Sequence, residues 1–294
     1  MTREDTDGSD SGGDDNSRRH HDADKGRHDD ADQGRQSRDG GNDPHSRGGN
    51  EAPAGGWAKL RMLAATPRTG RGFWFGVAID LLWPVIMLFT RPVWRGRRHI
   101  PRTGPVLLVA NHLSHIDPVT VTAFVLASGR VPRYLAKTEL WRLRLVRRVM
   151  ADGRHIPVDR EGGGTAGYRQ ALQALAGEEC VVVFPEGTFT DDPDGWPMDA
   201  QAGAARMALR TGAPVVPIAH WGGQRFLPPD ARFPRLLPRT TIHITAGPPV
   251  DLDDLRGGRL TAEILDTATK RIMSAVTALL ADIRGDQPPP GGNA

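Results

Sequence analysis

His112 and Asp117 are the pair in this chain best suited to moving a proton. They stand in Val106-Leu-Leu-Val-Ala-Asn-His-Leu-Ser-His-Ile-Asp-Pro118, where an apolar run gives way to a polar turn. An aspartate within reach of an imidazole holds one ring tautomer and stabilises the imidazolium, leaving the other nitrogen free to accept a proton. His115 is a competing base, and Ser114 is suited to supporting the loop. An ordinary alternative uses the same residues: Asp117 as a helix N-cap with Pro118 at the first helical position, and His112 as a loop histidine. Two further polar clusters follow apolar runs, Asp159-Arg160 after His-Ile-Pro-Val and Glu186-Gly187-Thr188 after Cys-Val-Val-Val-Phe-Pro. The glycine run Gly162 to Gly164 has neither the phosphate-loop pattern nor dinucleotide-binding spacing and reads as a flexible turn.

These clusters must be held by elements, and the patterning says which. Val106 to Ala110 is a short apolar run bounded by turn formers, the signature of a core strand. Arg133–Lys137, His155–Val158, Cys180–Phe184, Val215–Ala219 and Thr241–Ala246 read as further strands. Helices are expected over Val119–Ala127, Glu139–Met150, Tyr168–Ala176, residues 200–210 and Ala262–Ile283. Strands alternating with helices predict an α/β fold, a mainly parallel sheet covered on both faces. In such sheets ligands bind at the carboxyl ends of the strands, where all three polar clusters fall.

Composition divides the chain. Residues 1–56 contain 14 Asp and Glu against 8 Lys and Arg, with almost no large apolar side chain; the remainder carries 21 against 30. Such a segment buries too little surface to offset its ordering entropy, so a disordered tail is expected. Its histidines (His20, His21, His28, His45) match no compact metal-ligand spacing. A secretory signal is missing from the N-terminal residues, and the single cysteine, Cys180, excludes an internal disulfide; both suit the cytoplasm. Residues 73–90 are almost wholly apolar but interrupted by Asp80 and Pro84 and flanked by arginines; Trp74 and Trp83 within them and Trp94 just beyond suit a membrane interface. This predicts a membrane-associated helical segment over 57–96, lying in one leaflet with basic residues on anionic head groups; a single span is the second reading and a buried core helix the third. The α/β body over 97–285 and a frayed end over 286–294 complete the division. Nucleic acid is not an expected partner, because the basic bias lacks interleaved stacking aromatics.

Taken together, Asn-His-Leu-Ser-His-Ile-Asp-Pro, Gly-Arg-His-Ile-Pro-Val-Asp-Arg, Phe-Pro-Glu-Gly-Thr and Val-Val-Pro-Ile-Ala-His-Trp-Gly, in that order, resemble the blocks of the 1-acylglycerol-3-phosphate acyltransferases, glycerolipid acyltransferases with a His-x4-Asp motif. The resemblance covers roughly residues 100–250, and the body over 97–285 would then be the acyltransferase domain. It implies a mainly parallel, mixed sheet covered by helices. The activity implied is transfer of a fatty acyl group from acyl-CoA or acyl carrier protein to a lysophospholipid hydroxyl at the cytoplasmic face of the cell membrane. The thioester is then a co-substrate, and neither a metal nor another cofactor is called for. His112 would be the general base and Asp117 its orienter. Arg160 and Lys137 would bind phosphate; Glu186 would hold glycerol hydroxyls or fix the loop; the Gly187 and Thr188 amides would face a phosphate or oxyanion. Two positions depart from the family: Phe189 stands where an arginine usually follows the threonine, and Gln201-Ala202 where a lysine is frequent. They leave room for another lysolipid or a glycolipid as acceptor. A non-catalytic membrane-binding homologue and a hydrolase using water are the remaining alternatives.

Overall fold

The computed structural model describes residues 70–159 and 163–288. The acidic tail, residues 57–69 of the expected membrane segment, Arg160 and residues 289–294 lie outside the described residues.

Seven strands form one sheet: β1 (Thr90–Arg95), β2 (Val106–Ala110), β3 (Pro132–Lys137), β4 (Ile156–Val158), β5 (Cys180–Val183), β6 (Val215–Trp221) and β7 (Thr240–Ala246), in the spatial order β1-β7-β6-β2-β5-β3-β4. Every neighbouring pair is parallel except β6 and β7, so β1 and β7 run against the other five strands. The fold is therefore the mainly parallel, mixed sheet that the strand pattern and the resemblance imply.

All five residues of β2 are buried, as a central parallel strand requires. The pleat sends Val106, Leu108 and Ala110 to one core and Leu107 and Val109 to the other. The first core is closed by helices α1 (Phe73–Phe89) and α2 (Asp117–Ala127); the second by α4 (Thr165–Ala176), α5 (Gly203–Thr211) and α7 (Ala262–Arg284). α7 starts at a Thr261 cap that accepts the Ile264 amide at 3.3 Å and stops at the left-handed Gly285.

Two readings of the sequence are corrected here. The helical segment does not run to residue 96. It ends at Phe89, and Thr90–Arg95 form the edge strand β1, in register with β7 from Thr90↔Thr240 to Arg95↔Thr245. Alternation carries Thr90 and Trp94 inward, and Pro92 is tolerated because an edge strand leaves one side unpaired. Trp83 and Trp94 are consequently core residues rather than interface anchors: their rings stack at 5.6 Å, and Trp94 meets Phe124 edge-on at 5.8 Å. The basic helix expected over Glu139–Met150 is interrupted. A 3-10 stretch, Thr138–Arg142, is followed by an extended Leu143 and then by α3 (Arg144–Asp152).

α1 buries one stripe, Phe75, Ile79, Trp83 and Ile86, a spacing that follows the helix period. Its other face leaves Phe73, Val77, Leu81, Val85 and Leu88 in solvent, Leu81 at 68%. Leu140, Leu143 and Leu145 are also exposed, and the Arg148 guanidinium lies 5.6 Å from the Trp74 ring. Among the described residues no helix is long and apolar enough to cross a membrane.

Candidate active site

The carboxyl ends of β2 to β6 open on one edge of the sheet, and the His-Asp loop leaves β2 there. Asp117 is the first residue of α2, yet it does not cap that helix. Its Oδ2 reaches back to accept the amides of Leu113 and Ser114, each at 2.6 Å, and the His112 Nδ1–H at 3.0 Å. The N-cap alternative is thereby replaced by a carboxylate that closes the loop preceding the helix. A carboxylate only accepts, so the proton sits on Nδ1 and His112 Nε2 carries a free lone pair. Asp117 is fully buried, whereas the His112 side chain keeps 16% exposure, enough to meet a substrate.

The rest of the loop is tied down by chain far away in sequence. Glu186 Oε1 accepts the His112 amide at 2.9 Å and Oε2 the Met198 amide at 3.1 Å. Thr190 N–H donates to the His112 carbonyl at 3.0 Å. Both backbone groups of His112 are thus held by the segment after β5. Of the two roles open to Glu186, its oxygens are engaged in the second, fixing the loop. Phe184 stacks on the imidazole at 4.2 Å and Phe189 packs edge-on at 4.4 Å, so the ring is clamped between two aromatics. Phe189 also meets the His115 ring at 4.6 Å. Ser114 Oγ donates to the Leu227 carbonyl, a supporting role for the loop.

Burial raises the Glu186 carboxyl to about 7, against the amides of Met198 and His112, which favour its ionised form. The folded protein therefore holds this proton more tightly than the unfolded chain. Its contribution to stability is complete below the ordinary glutamate value and is lost as pH rises through about 7. The size is on the order of 3 kcal/mol, a tenfold difference in proton affinity being worth about 1.4 kcal/mol. Glu186→Gln does not titrate, so wild type should lose melting temperature relative to this variant between about pH 5 and pH 8. A difference that stays constant in thermal denaturation across that range would contradict the assignment.

Sequence reasoning missed His220 and Asn111. Asn111 Nδ2 donates to the His220 carbonyl at 3.1 Å and Asn111 Oδ1 accepts the His220 amide at 3.0 Å, bolting the end of β2 to the end of β6. His220 Nε2 lies 2.5 Å from the Asn111 carbonyl, so that nitrogen carries a proton. Burial holds His220 below the ordinary imidazole range despite the pull of Asp117. Its Nδ1 then presents a lone pair 3.6 Å from Asp117 Oδ1, and both atoms are buried without a hydrogen-bond partner. Asp117 is therefore flanked by two imidazoles. Gly223 lies so close that a Cβ there would come within 2.7 Å of Asp117 Oδ1, which is why this position has no side chain. The signal was present in the block Val-Val-Pro-Ile-Ala-His-Trp-Gly, but only strand pairing reveals what His220 faces.

The other expected residues form a second group. Lys137 ends β3, exposed and opposite Val158 of β4; the segment carrying Arg160 follows, outside the described residues. Gly187 (φ 79°) makes the turn after β5, and Thr188 is exposed beside it. Glu186, Gly187 and Thr188 line a cavity of about 850 Å³ with Tyr168, Arg206 and Met207, between the ends of β3 to β5 and helices α4 and α5. Its wall reaches the His112 clamp through Phe184.

With this geometry in hand, comparison with known proteins is informative. A model of the acyltransferase family matches residues 91–221, from β1 to the end of β6, and so takes in the whole His-Asp loop and its partners. That stretch of the chain matches the acyltransferase family. The chain is 27% identical over 130 residues to the 1-acyl-sn-glycerol-3-phosphate acyltransferase of Bacillus subtilis strain 168, covering 43% of this chain and 61% of that one, less than two thirds of its length. The Pseudomonas aeruginosa protein of the same name is 28% identical over 198 residues, covering 64% of this chain and 68% of the relative. The fold is similar to the crystal structure of the 1-acyl-sn-glycerophosphate acyltransferase from Thermotoga maritima, with a TM-score of 0.55 at 22% identity, over 79% of this chain and 82% of that one. Against the resembled pattern the departure at Phe189 takes on a structural meaning: the position usually given to an arginine holds a ring packed against His112.

Proposed function

We propose that the protein transfers a fatty acyl group from a thioester, acyl-CoA or acyl carrier protein, to the free hydroxyl of 1-acylglycerol-3-phosphate, giving phosphatidic acid. The observation that carries this reading is the buried Asp117 carboxylate fixing His112 through Nδ1 at 3.0 Å, at the ligand-binding edge of the sheet. In this scheme His112 takes the hydroxyl proton as the oxygen attacks the thioester carbonyl. Asp117 stabilises the imidazolium that forms, and the imidazolium returns the proton to the departing thiolate. The nucleophile is the substrate's own hydroxyl, so the chain needs no serine or cysteine in that role. Lys137, at the end of β3, and Arg160 would hold the acceptor's phosphate.

Phe189 supports a second reading, in which the acceptor is a different lysolipid or a glycolipid, because the ring occupies the place of a phosphate-binding arginine. A screen of acceptors with one labelled acyl-CoA separates these readings. Transfer to lysophosphatidate is expected to lead the panel. Thiol release that does not depend on any added lysolipid would sink the transferase reading in favour of a hydrolase.

Residence on the cytoplasmic face of the membrane is part of the proposal, supported by the exposed apolar face of α1 and the arginines of α3. Each basic side chain near an anionic surface contributes about 1 kcal/mol, and the apolar face adds burial. Leu81→Glu with Leu88→Glu changes only exposed positions, so the variant should fold but lose at least about tenfold in vesicle affinity, as burying two charges in the interface opposes binding. Unaltered cosedimentation with anionic vesicles would remove α1 from the contact.

A further inference from the structure

A second cavity, of about 840 Å³, lies at the same edge of the sheet on its β6–β7 side, lined by none of the residues assigned to the chemistry above. Four arginines line it, Arg225, Arg235, Arg239 and Arg284, with His243; the single acidic residue in its wall is Asp286. That acid is already paired with Arg284 at 3.0 Å. Arg284 is structural: it donates to the Asp194 carbonyl and its guanidinium lies 4.0 Å from the Trp196 ring and 4.6 Å from the Trp221 ring. Arg239 is largely engaged too, donating to the Met87 and Thr90 carbonyls at 2.8 and 2.7 Å, although its Nε is buried without a partner. The remaining two are different. Arg225 only overlies the Trp221 ring at 5.7 Å, and among the described residues Arg235 has no side-chain partner. Both are exposed. The local field is positive enough that, after burial, the charges of Arg95 and Arg225 help hold His243 below the ordinary imidazole range.

The chain between β6 and β7 adds a second observation. Residues 227–239 read Leu-Pro-Pro-Asp-Ala-Arg-Phe-Pro-Arg-Leu-Leu-Pro-Arg, and three of their large apolar side chains stand in water: Phe233 and Leu237 at 78% each, and Leu236 at 40%. Apolar side chains alternating with unpaired guanidinium groups fit a ligand that has both an acyl chain and an anionic head. Arg239 also ties this stretch to the carboxyl end of α1, which carries the exposed Leu88.

We propose that Arg225 and Arg235 bind the phosphate headgroup of an anionic lipid, whose acyl chain is met by Phe233, Leu236 and Leu237. Guanidinium groups suit a phosphate because their planar donors pair bidentately with its oxygens. The site is coupled to the reaction centre by position. Arg225 lies in the one-turn helix α6 (Gly223–Phe226), whose Gly223 packs against Asp117 and whose following residue, Leu227, accepts from Ser114. The headgroup then comes either from the lipid acceptor, in which case this cavity replaces Lys137 and Arg160 as its phosphate site, or from the bilayer beside it. The first source rests on the acyl-transfer reading; the binding itself does not.

The experiment uses the full chain and vesicles of phosphatidylcholine with and without phosphatidate. Arg225→Ala with Arg235→Ala should weaken binding to phosphatidate vesicles at least about tenfold, the loss of about one charge-assisted pair, and leave binding to pure phosphatidylcholine unchanged. Phe233→Ser with Leu237→Ser should weaken both, and all four positions are exposed, so folding should survive by circular dichroism. The source is read from kinetics with a short-chain, monomeric lysophosphatidate: a matching rise in its KM assigns the headgroup to the acceptor, and an unchanged KM assigns it to a bilayer lipid. Unchanged affinity for phosphatidate vesicles in the double arginine variant overturns the proposal. So does a rise confined to the KM for acyl-CoA, which would give the cavity to the donor's phosphates. Vesicle binding requires no chemistry, so it stands or falls apart from the transferase reading.

Discussion

His112→Ala is expected to lower acyl transfer by at least about 10²- to 10⁴-fold, the usual worth of a general base. The variant should keep its fold. The imidazole is part-exposed, and the bonds that fix the loop run through the backbone of His112 to Glu186 and Thr190, which alanine retains. The control is His115→Ala. His115 meets Phe189 but has no carboxylate partner among the described residues, so its loss should cost little. Comparison of the two by initial rates, with circular dichroism on each, decides the base. A folded His112→Ala protein that retains more than about a tenth of wild-type transfer is incompatible with the mechanism.

The second large effect concerns Asp117, where two substitutions should diverge. In Asp117→Asn the side-chain oxygen can stay with the three N–H donors of His112, Leu113 and Ser114, while the new NH2 faces the bare Nδ1 of His220, 3.6 Å away. Every group in the loop then has a partner, so stability should stay within about 1 kcal/mol of wild type. Activity should nevertheless fall by about 10³- to 10⁴-fold, because a neutral amide does not stabilise the imidazolium. Asp117→Ala instead leaves three donors unpaired in a fully buried place, at about 1–3 kcal/mol for each one stranded, and should unfold readily. Equal thermal stability of the two variants would refute this account of Asp117 and of the His220 tautomer.

Much of this was legible beforehand for reasons that are local. Buried parallel strands read as unbroken apolar runs, so β2, β5 and β6 stood out, and the turn formers after them marked the edge that holds the site. β1 was hidden because Thr-Arg-Pro-Val-Trp-Arg follows directly on an apolar helix and contains a proline; its strand state comes from pairing with β7, about 150 residues away. Trp83 and Trp94 were misplaced for the same reason. An aromatic near arginines looks like an interface anchor until a distant Phe124 is found against it.

The sequence by itself determined the kinds of groups available: one histidine at a fixed offset from an aspartate, a carboxylate on a glycine turn, a run of strands alternating with helices, and an excess of arginine outside the acidic tail. These are consequences of side-chain chemistry and of periods of two and 3.6, which act over a few residues. Tertiary structure alone decided the rest. It turned Glu186 from a possible ligand for substrate into the bolt of the His112 backbone, clamped that imidazole between Phe184 and Phe189, and set His220 against the unused oxygen of Asp117. It also gathered arginines from positions 225 to 284 into one cavity. Each of these depends on strand order and register, which bring together residues separated by tens of positions, and no local pattern encodes which distant carboxylate, ring or guanidinium will arrive.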